Sequence, residues 1–480
     1  MRSLRPSWPL LVGLASFLLV AGQLASVLND PDTYLHVAAG NWMLAHRALP
    51  VSDPFSHSLA GAAWVPHEWL AELILALLWD WAGWNGPALA AAFCFALAMG
   101  IMTRRVLDRF EPLTGLILMA SVVTLLEPHL LARAHELALP LMVIWSGATI
   151  AARDEGRLPP WWLLPVMTLW ANLHGSFMAG LALLGYLGAE AVLQSPGERL
   201  AVMRRWAVFG LASGAAALVT PNGIDGFLLP FRLSSMPVLK STFIEWQPPD
   251  LQSFQPIEIW IGAVVVALAA GLRLPILRAL VLAVLFLNAL AHQRHQDLLA
   301  IMGPLLIAAG LGPDLAARVR TERPSPVARG VAALARPAAL PGTLAVLAIM
   351  ALVAAVNLAV PLARPDSPIT PAAALEAAQA AKLEGNVLND EGFGGYLIAQ
   401  GVPVFIDGRI ELYGDDFLSA YLKAVNGHEP ALDDLLEKYR IAWTMLPPGG
   451  VADEELGRSP AWRKIYGDKF AVVRARAEQP

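Results

Sequence analysis

Asp30-Pro31-Asp32 sets two carboxylates two positions apart, and His36 follows four residues after Asp32. Such a group can share a divalent cation, or divide the work of general base and electrostatic partner in a transfer reaction. It also reads as a plain helix start, with Asp30 as N-cap, Pro31 at the first helical position and Asp32 near the positive end of the dipole. The two readings are compatible. In a helix, Asp32 and His36 lie on one face, so His36 could join the carboxylates at a metal or phosphate. Further along, Asp53-Pro54-Phe55-Ser56-His57 reads as a capped turn, and His67-Glu68 opens a helix in which capping competes with chemistry.

Other ionisable groups stand where apolar runs begin or end. Arg133-Ala134-His135-Glu136 opens one run, and an arginine there is the group that a lipid phosphate requires; the bland alternative is a set of snorkelling anchors. Asn172 and His174 lie between two runs, Arg294 and His295 lie between two later ones, and Glu245 belongs to a long outer loop from Pro221 to Gln255. All could be headgroup anchors, and all could contribute to a shared site with the first loop.

The elements that must position these groups are mostly membrane helices. Mean hydropathy is +0.53 and only 15% of the 480 residues are charged, well under the roughly 25% of soluble domains. The expected fold is mainly α, a polytopic bundle over residues 1–362 with about eleven spans. The runs are Trp8 to Leu28, Gly86 to Thr103, Leu113 to Glu127, Leu137 to Ala152, Trp161 to Leu173, Ser176 to Leu193, Trp206 to Thr220, Glu258 to Leu272, Leu274 to Ala291, Leu298 to Gly312 and Leu340 to Leu362. The stretch from His67 to Trp84 is apolar but carries Glu68, Glu72 and Asp80 among tryptophans, so it reads as an interfacial helix within a first outer loop, residues 29–85.

That choice is tested by charge. It places Arg2, Arg5, Arg104, Arg105, Arg109, Arg153, Arg157, Arg199, Arg204, Arg205, Arg273, Arg278, Arg318, Arg320, Arg323, Arg329 and Arg336 inside, against Arg47, Arg133, Arg232, Lys240 and Arg294 outside. The asymmetry obeys the positive-inside rule. It puts the N-terminus in the cytoplasm and the C-terminus across the inner membrane. No inverted repeat and no charged pair inside the spans is evident in the sequence. The single cysteine, Cys94, excludes an intramolecular disulfide, and a net charge of -5 gives no polyanion-binding signature, so nucleic acid is not an expected partner.

Residues 363–480 have ordinary charge density and predict a small extracytoplasmic α/β domain. Strands are expected at Asn386 to Leu388, Val402 to Ile406, Ile441 to Leu446 and Phe470 to Val473, and helices at Pro371 to Leu383, Asp415 to Val425 and Pro430 to Lys438. Gly392 to Gly395 reads as a turn before a helix, and Asp407-Gly408-Arg409 as a turn with an ion pair.

The order of parts resembles the GT-C superfamily of membrane glycosyltransferases, among them protein mannosyltransferases, aminoarabinose transferases and oligosaccharyltransferases. The residues that carry the likeness are Asp32-Thr33-Tyr34-Leu35-His36, Gly40, Asp53-Pro54-Phe55-Ser56, His67-Glu68-Trp69-Leu70, Asn172-Leu173-His174-Gly175, Gly394-Gly395-Tyr396-Leu397 and Phe405-Ile406-Asp407-Gly408-Arg409. The resemblance implies inverting transfer of a sugar from a polyprenyl-phosphate donor to an envelope acceptor (lipid, glycan or protein). Asp32 would act as base, Asp30 would orient it or help hold a cation, and Arg133, Arg294 and His174 would meet the donor phosphate. A divalent metal on Asp30, Asp32 and His36 is part of this expectation. Many members pair the first-loop aspartate with a glutamate, and Thr33 stands at that position here. A transporter of lipid-linked sugars and a non-catalytic envelope assembly protein are the competing readings.

Overall fold

The computed structural model describes residues 5–319, 326–427 and 430–477; Arg2, Arg320 and Arg323 of the charge census lie outside them. The apolar runs predicted above are largely helical, but the first, Trp8 to Leu28, is broken by a turn at Gly22 and Gln23 into helices Trp8–Ala21 and Leu24–Val27. Runs of low polarity satisfy their backbone groups internally as helices wherever water is scarce. Among the described residues four helices, Asn85–Leu107, Pro112–His129, Ala134–Asp154 and Leu340–Leu358, are long and apolar enough to cross a membrane, and five shorter apolar helices accompany them. Leu211, Val266, Leu287, Leu340 and Leu352 are all exposed. Large side chains of this kind facing outward on apolar helices are what lipid covers, and the chain is a multi-pass membrane protein.

The chain divides into two compact units. The first comprises Met1–Leu24, Ala88–Phe227 and Thr242–Val360. Its helices start and pack by ordinary local rules. Glu111 accepts the N–H groups of Leu113 and Thr114 at 3.0 and 3.2 Å, with Pro112 at the first helical position where its missing donor costs nothing. Gly180 sits beneath Trp170, where a Cβ would stand 2.5 Å from the ring, and its carbonyl accepts Trp145 Nε1 at 2.9 Å. The stretch from Pro221 to Gln255, expected as a long outer loop, holds two helices, Gly223–Ser234 and Pro237–Thr242, most of whose residues belong to the second unit, and a 3-10 turn, Ile244–Trp246, in the first.

One expectation fails in this unit, since charged pairs do lie within the helices. Arg278 donates to Glu190 at 2.8 Å and to Asp154 at 2.7 Å, and Arg153 lies 3.3 Å from Glu190. The partners come from three helices, Ala134–Asp154, Phe177–Leu193 and Ile276–Ala291, so no single run displays them. Each charge is tolerable out of water only because the others are present.

The second unit comprises Ala25–Pro87, Leu228–Ser241 and Pro361–Pro480, so the first loop folds with the tail. A four-stranded sheet has the order β1 (Asn386–Asn389), β2 (Ile441–Leu446), β4 (Val472–Arg476), β3 (Trp462–Gly467). β1 and β2 are parallel and the remaining pairs antiparallel. Val402 to Ile406 is not a strand; it makes only an isolated bridge between Val404 and Ser56. Strand β3 and helix Val451–Arg458 were not foreseen. The supposed turn at Gly392 to Gly395 lies inside helix Glu391–Ala399, whose first turn is capped by Asp390 accepting the Gly392 N–H at 3.0 Å. Helix Ile410–Val425 begins earlier than expected and kinks at Gly414, where φ is 73°, a value natural to glycine.

Helix Asp32–His46 is the centre of this unit. Gly40 lets it lie against helix Trp69–Ala82, since a Cβ there would overlap the Glu72 carbonyl. Its Tyr34 and Leu35 join a core with Leu375, Phe393, Leu397, Trp443 and Met445. Ala39 and Met43 pack on Trp64. The face bearing Asp32 and His36 is thereby fixed between the loop and the tail.

Candidate active site

Asp30 Oδ1 accepts the N–H of Asp32 at 2.8 Å, so Asp30 does cap the helix, with Pro31 in the cap position and Asp32 as the first helical residue. Both ends of this turn are held. Arg364 donates to the Asp30 carbonyl at 3.0 Å and lies over the rings of Tyr34 and Trp84, 3.5 and 4.9 Å from their centroids. The Tyr34 hydroxyl meets that of Thr370 at 3.0 Å. Burial, offset in part by Tyr34 and Asp30, brings the Arg364 guanidinium down to about 10, and it remains charged at neutral pH.

His36 is buried between two carboxylates, 3.8 Å from Glu68 and 3.7 Å from Glu72. Burial, the largest single effect, disfavours its charge, but Glu72, Glu68 and Asp32 together raise it to about 9, so the ring is an imidazolium at neutral pH. His67 lies 3.6 Å from the same Glu68. A cationic His36 is a poor metal ligand, and Asp30 Oδ1 is already committed to a backbone donor. Among the described residues no group of three His, Cys, Asp or Glu is placed to hold a metal ion.

The tail adds acids that sequence reasoning missed. Burial and then the charges of Asp32, Asp390, Asp407 and Asp30 push the Glu391 carboxyl well above its ordinary range. Asp53 does cap its turn, accepting the N–H groups of Phe55 and Ser56 at 2.9 and 3.2 Å and the Ser56 hydroxyl. It also accepts from Arg409 at 2.6 Å. Arg409 donates through two further nitrogens to Asp407 at 2.8 and 2.7 Å; the Tyr413 hydroxyl donates to Asp407 at 2.8 Å. Asp53 and Arg409 are separated by 356 positions, and short-range pattern gives no sign of such a pair.

The first unit brings another group together. Glu245 lies 3.2 Å from Arg294 and 3.7 Å from Arg133, each through a different carboxylate oxygen. Burial would raise its carboxyl, but Arg294, Arg133, His135 and His174 outweigh that and hold it below the usual range. Arg294 also stacks over Trp246 at 4.3 Å. His174 Nδ1 accepts the Ser176 N–H at 3.2 Å, which places the ring hydrogen of the neutral form on Nε2. The Ser176 hydroxyl then donates to Nδ1 at 2.8 Å and accepts Trp170 Nε1 at 2.9 Å.

The remaining candidates have plainer surroundings. His135 Nε2 donates to the His129 carbonyl at 3.0 Å. Glu136 is buried beside it, 3.8 Å from His135. The Asn172 amide donates to the carbonyls of Thr168, one turn back in its own helix, and Val219, just past helix Arg199–Ala217, at 2.8 and 2.9 Å. His295 stands edge-on to Trp246 and His292, at 6.1 and 5.2 Å.

Comparison with solved structures gives this architecture its class. No family model matches the chain, and no curated protein matches it. It superposes on ArnT from Cupriavidus metallidurans bound to undecaprenyl phosphate with a TM-score of 0.50 and 14% identity, over 98% of each chain. It superposes on the Archaeoglobus fulgidus oligosaccharyltransferase in the apo form with a TM-score of 0.50 and 11% identity, over 91% of this chain and 69% of that one. The chain has a GT-C-like fold.

Proposed function

We propose that the protein is a membrane glycosyltransferase that moves a sugar from a polyprenyl-phosphate donor to an envelope acceptor, with inversion at the anomeric carbon. The observation that carries this reading is the convergence of Arg133 and Arg294 on the two oxygens of one carboxylate, that of Glu245. Two guanidiniums arranged around a single anion are what a departing lipid phosphate needs. The undecaprenyl phosphate bound to the ArnT structure supports this choice of donor.

In the transfer the acceptor hydroxyl oxygen bonds to the anomeric carbon as the bond from that carbon to the phosphate oxygen breaks. Asp32 takes the hydroxyl proton. Within the first unit, Arg133 and Arg294 are the cations offered to a lipid phosphate, and His174 acts on the same Glu245 carboxylate that they surround. One displacement gives inversion. Asp30 keeps the first turn of the helix in place through the Asp32 N–H. The donor lies in a lipid phase and the protein acts on it from the membrane.

Asp32→Asn keeps the size of the side chain and removes the base. Turnover of a polyprenyl-phosphate sugar should fall about 100-fold to 10,000-fold while donor binding is retained. Full transfer activity in the purified Asn variant would remove Asp32 from this role.

A further inference from the structure

We propose that the tail segment Asp407-Gly408-Arg409 is a positioning element for Asp32, so that the C-terminal residues complete the catalytic centre and are not a separable module. The inference rests on Asp32 acting as the base.

Three close approaches within the second unit carry it. A Cβ on Gly408 would overlap Asp32 Oδ1, so the carboxylate lies against the backbone of residue 408. A Cβ on Gly395 would overlap the Pro31 carbonyl, one residue before Asp32, and one on Gly394 would stand 2.7 Å from the Asp407 Cα. The turn that presents Asp32, the glycine pair of helix Glu391–Ala399 and the segment after Phe405 are therefore stacked with no side chain between them.

The segment itself cannot drift. Arg409 is clamped to Asp407 through two nitrogens and to Asp53 through a third, and all three are at most 4% exposed. Behind it, the Ile406 carbonyl accepts the Asn389 amide, and the Phe405 N–H donates to the same side chain, each at 2.8 Å. A charged network this fully satisfied is rigid. It sets the surface on which the Asp32 carboxylate rests.

Gly408→Ala separates positioning from folding. The added methyl meets the carboxylate of a side chain and not a backbone, so the strain falls on the position of Asp32 and not on the chain path. Misplacing a reacting group by about 1 Å costs about 100-fold in rate. The expected result is a kcat lowered about 100-fold, with KM for the polyprenyl-phosphate donor within about twofold of wild type and an unchanged Tm. An unchanged kcat would overturn the proposal, as would a fall in kcat matched by equal losses of Tm and donor affinity. Should Gly408→Ala not fold, Tyr413→Phe decides, since it removes one hydrogen bond from Asp407. A kcat several-fold lower at constant KM supports the inference, and a wild-type kcat rejects it. If the wild-type protein has no transferase activity, the functional reading fails instead, and the two failures are distinct.

Discussion

Two side chains in this protein have properties that their sequence neighbours alone do not predict. His36 is held as a cation by Glu72, Glu68 and Asp32 at about 9, above its ordinary 6.5. Its folded-state value is raised, so its contribution to stability is complete below about pH 6.5 and is lost as pH rises through about 9. Thermal unfolding between pH 6 and pH 10 should show a falling Tm over that window, and His36→Gln should flatten the fall. An equal slope in both proteins would contradict the assignment. Glu245 is the second case, because it occupies the anion position between Arg133 and Arg294. Glu245→Gln removes the negative charge that competes with a lipid phosphate for the two arginines, and because Glu245 is about half exposed the gain should be modest. Dissociation constants for undecaprenyl phosphate should fall about twofold to fivefold; an unchanged or weaker affinity would show that the phosphate binds elsewhere.

At the scale of elements, what was legible in the sequence was what is local. The apolar runs became largely helical because hydropathy and internal hydrogen bonding point the same way over a dozen or more residues. β2 was legible for the same reason, as a short apolar run buried at nearly every position. β3 was not, because Trp462–Gly467 is half exposed and shows no apolar alternation. Helix Glu391–Ala399 was hidden by its three glycines, which lower helix propensity; two of them, Gly394 and Gly395, stand where Asp407 and Pro31 approach too closely for a side chain. The Arg278 cluster was hidden in another way, since its partners stand 88 and 124 positions away. Removing Arg278 takes from Asp154 its hydrogen-bonded guanidinium and leaves Glu190 with Arg153 alone. Arg278→Ala should destabilise the purified protein by about 3–5 kcal/mol, read as a lower Tm in detergent, and a Tm within a degree of wild type would contradict the role given to this cluster.

At the scale of the whole molecule, the chain's order conceals how its parts are grouped. The first loop and the tail are separated by nearly three hundred residues, and they fold as one unit. Asp30 and Asp32 could be recognised from residue type and spacing, but the acid-rich setting supplied by Asp390, Glu391 and Asp407 could not. The same holds for the arginine pair, where Arg133, Arg294 and Glu245 were legible as separate candidates while their meeting, across more than a hundred positions, was not. The first unit holds the paired arginines, and the second holds the cationic His36 and the Asp32 carboxylate on one helix. The most direct test is to incubate purified protein in detergent, with no membrane gradient, with a labelled sugar on undecaprenyl phosphate and an extract of envelope acceptors. The account predicts one undecaprenyl phosphate released for each sugar transferred, with inverted configuration at the anomeric carbon and almost none from Asp32→Asn. Intact lipid-linked sugar and no released undecaprenyl phosphate at the end of the reaction would contradict it.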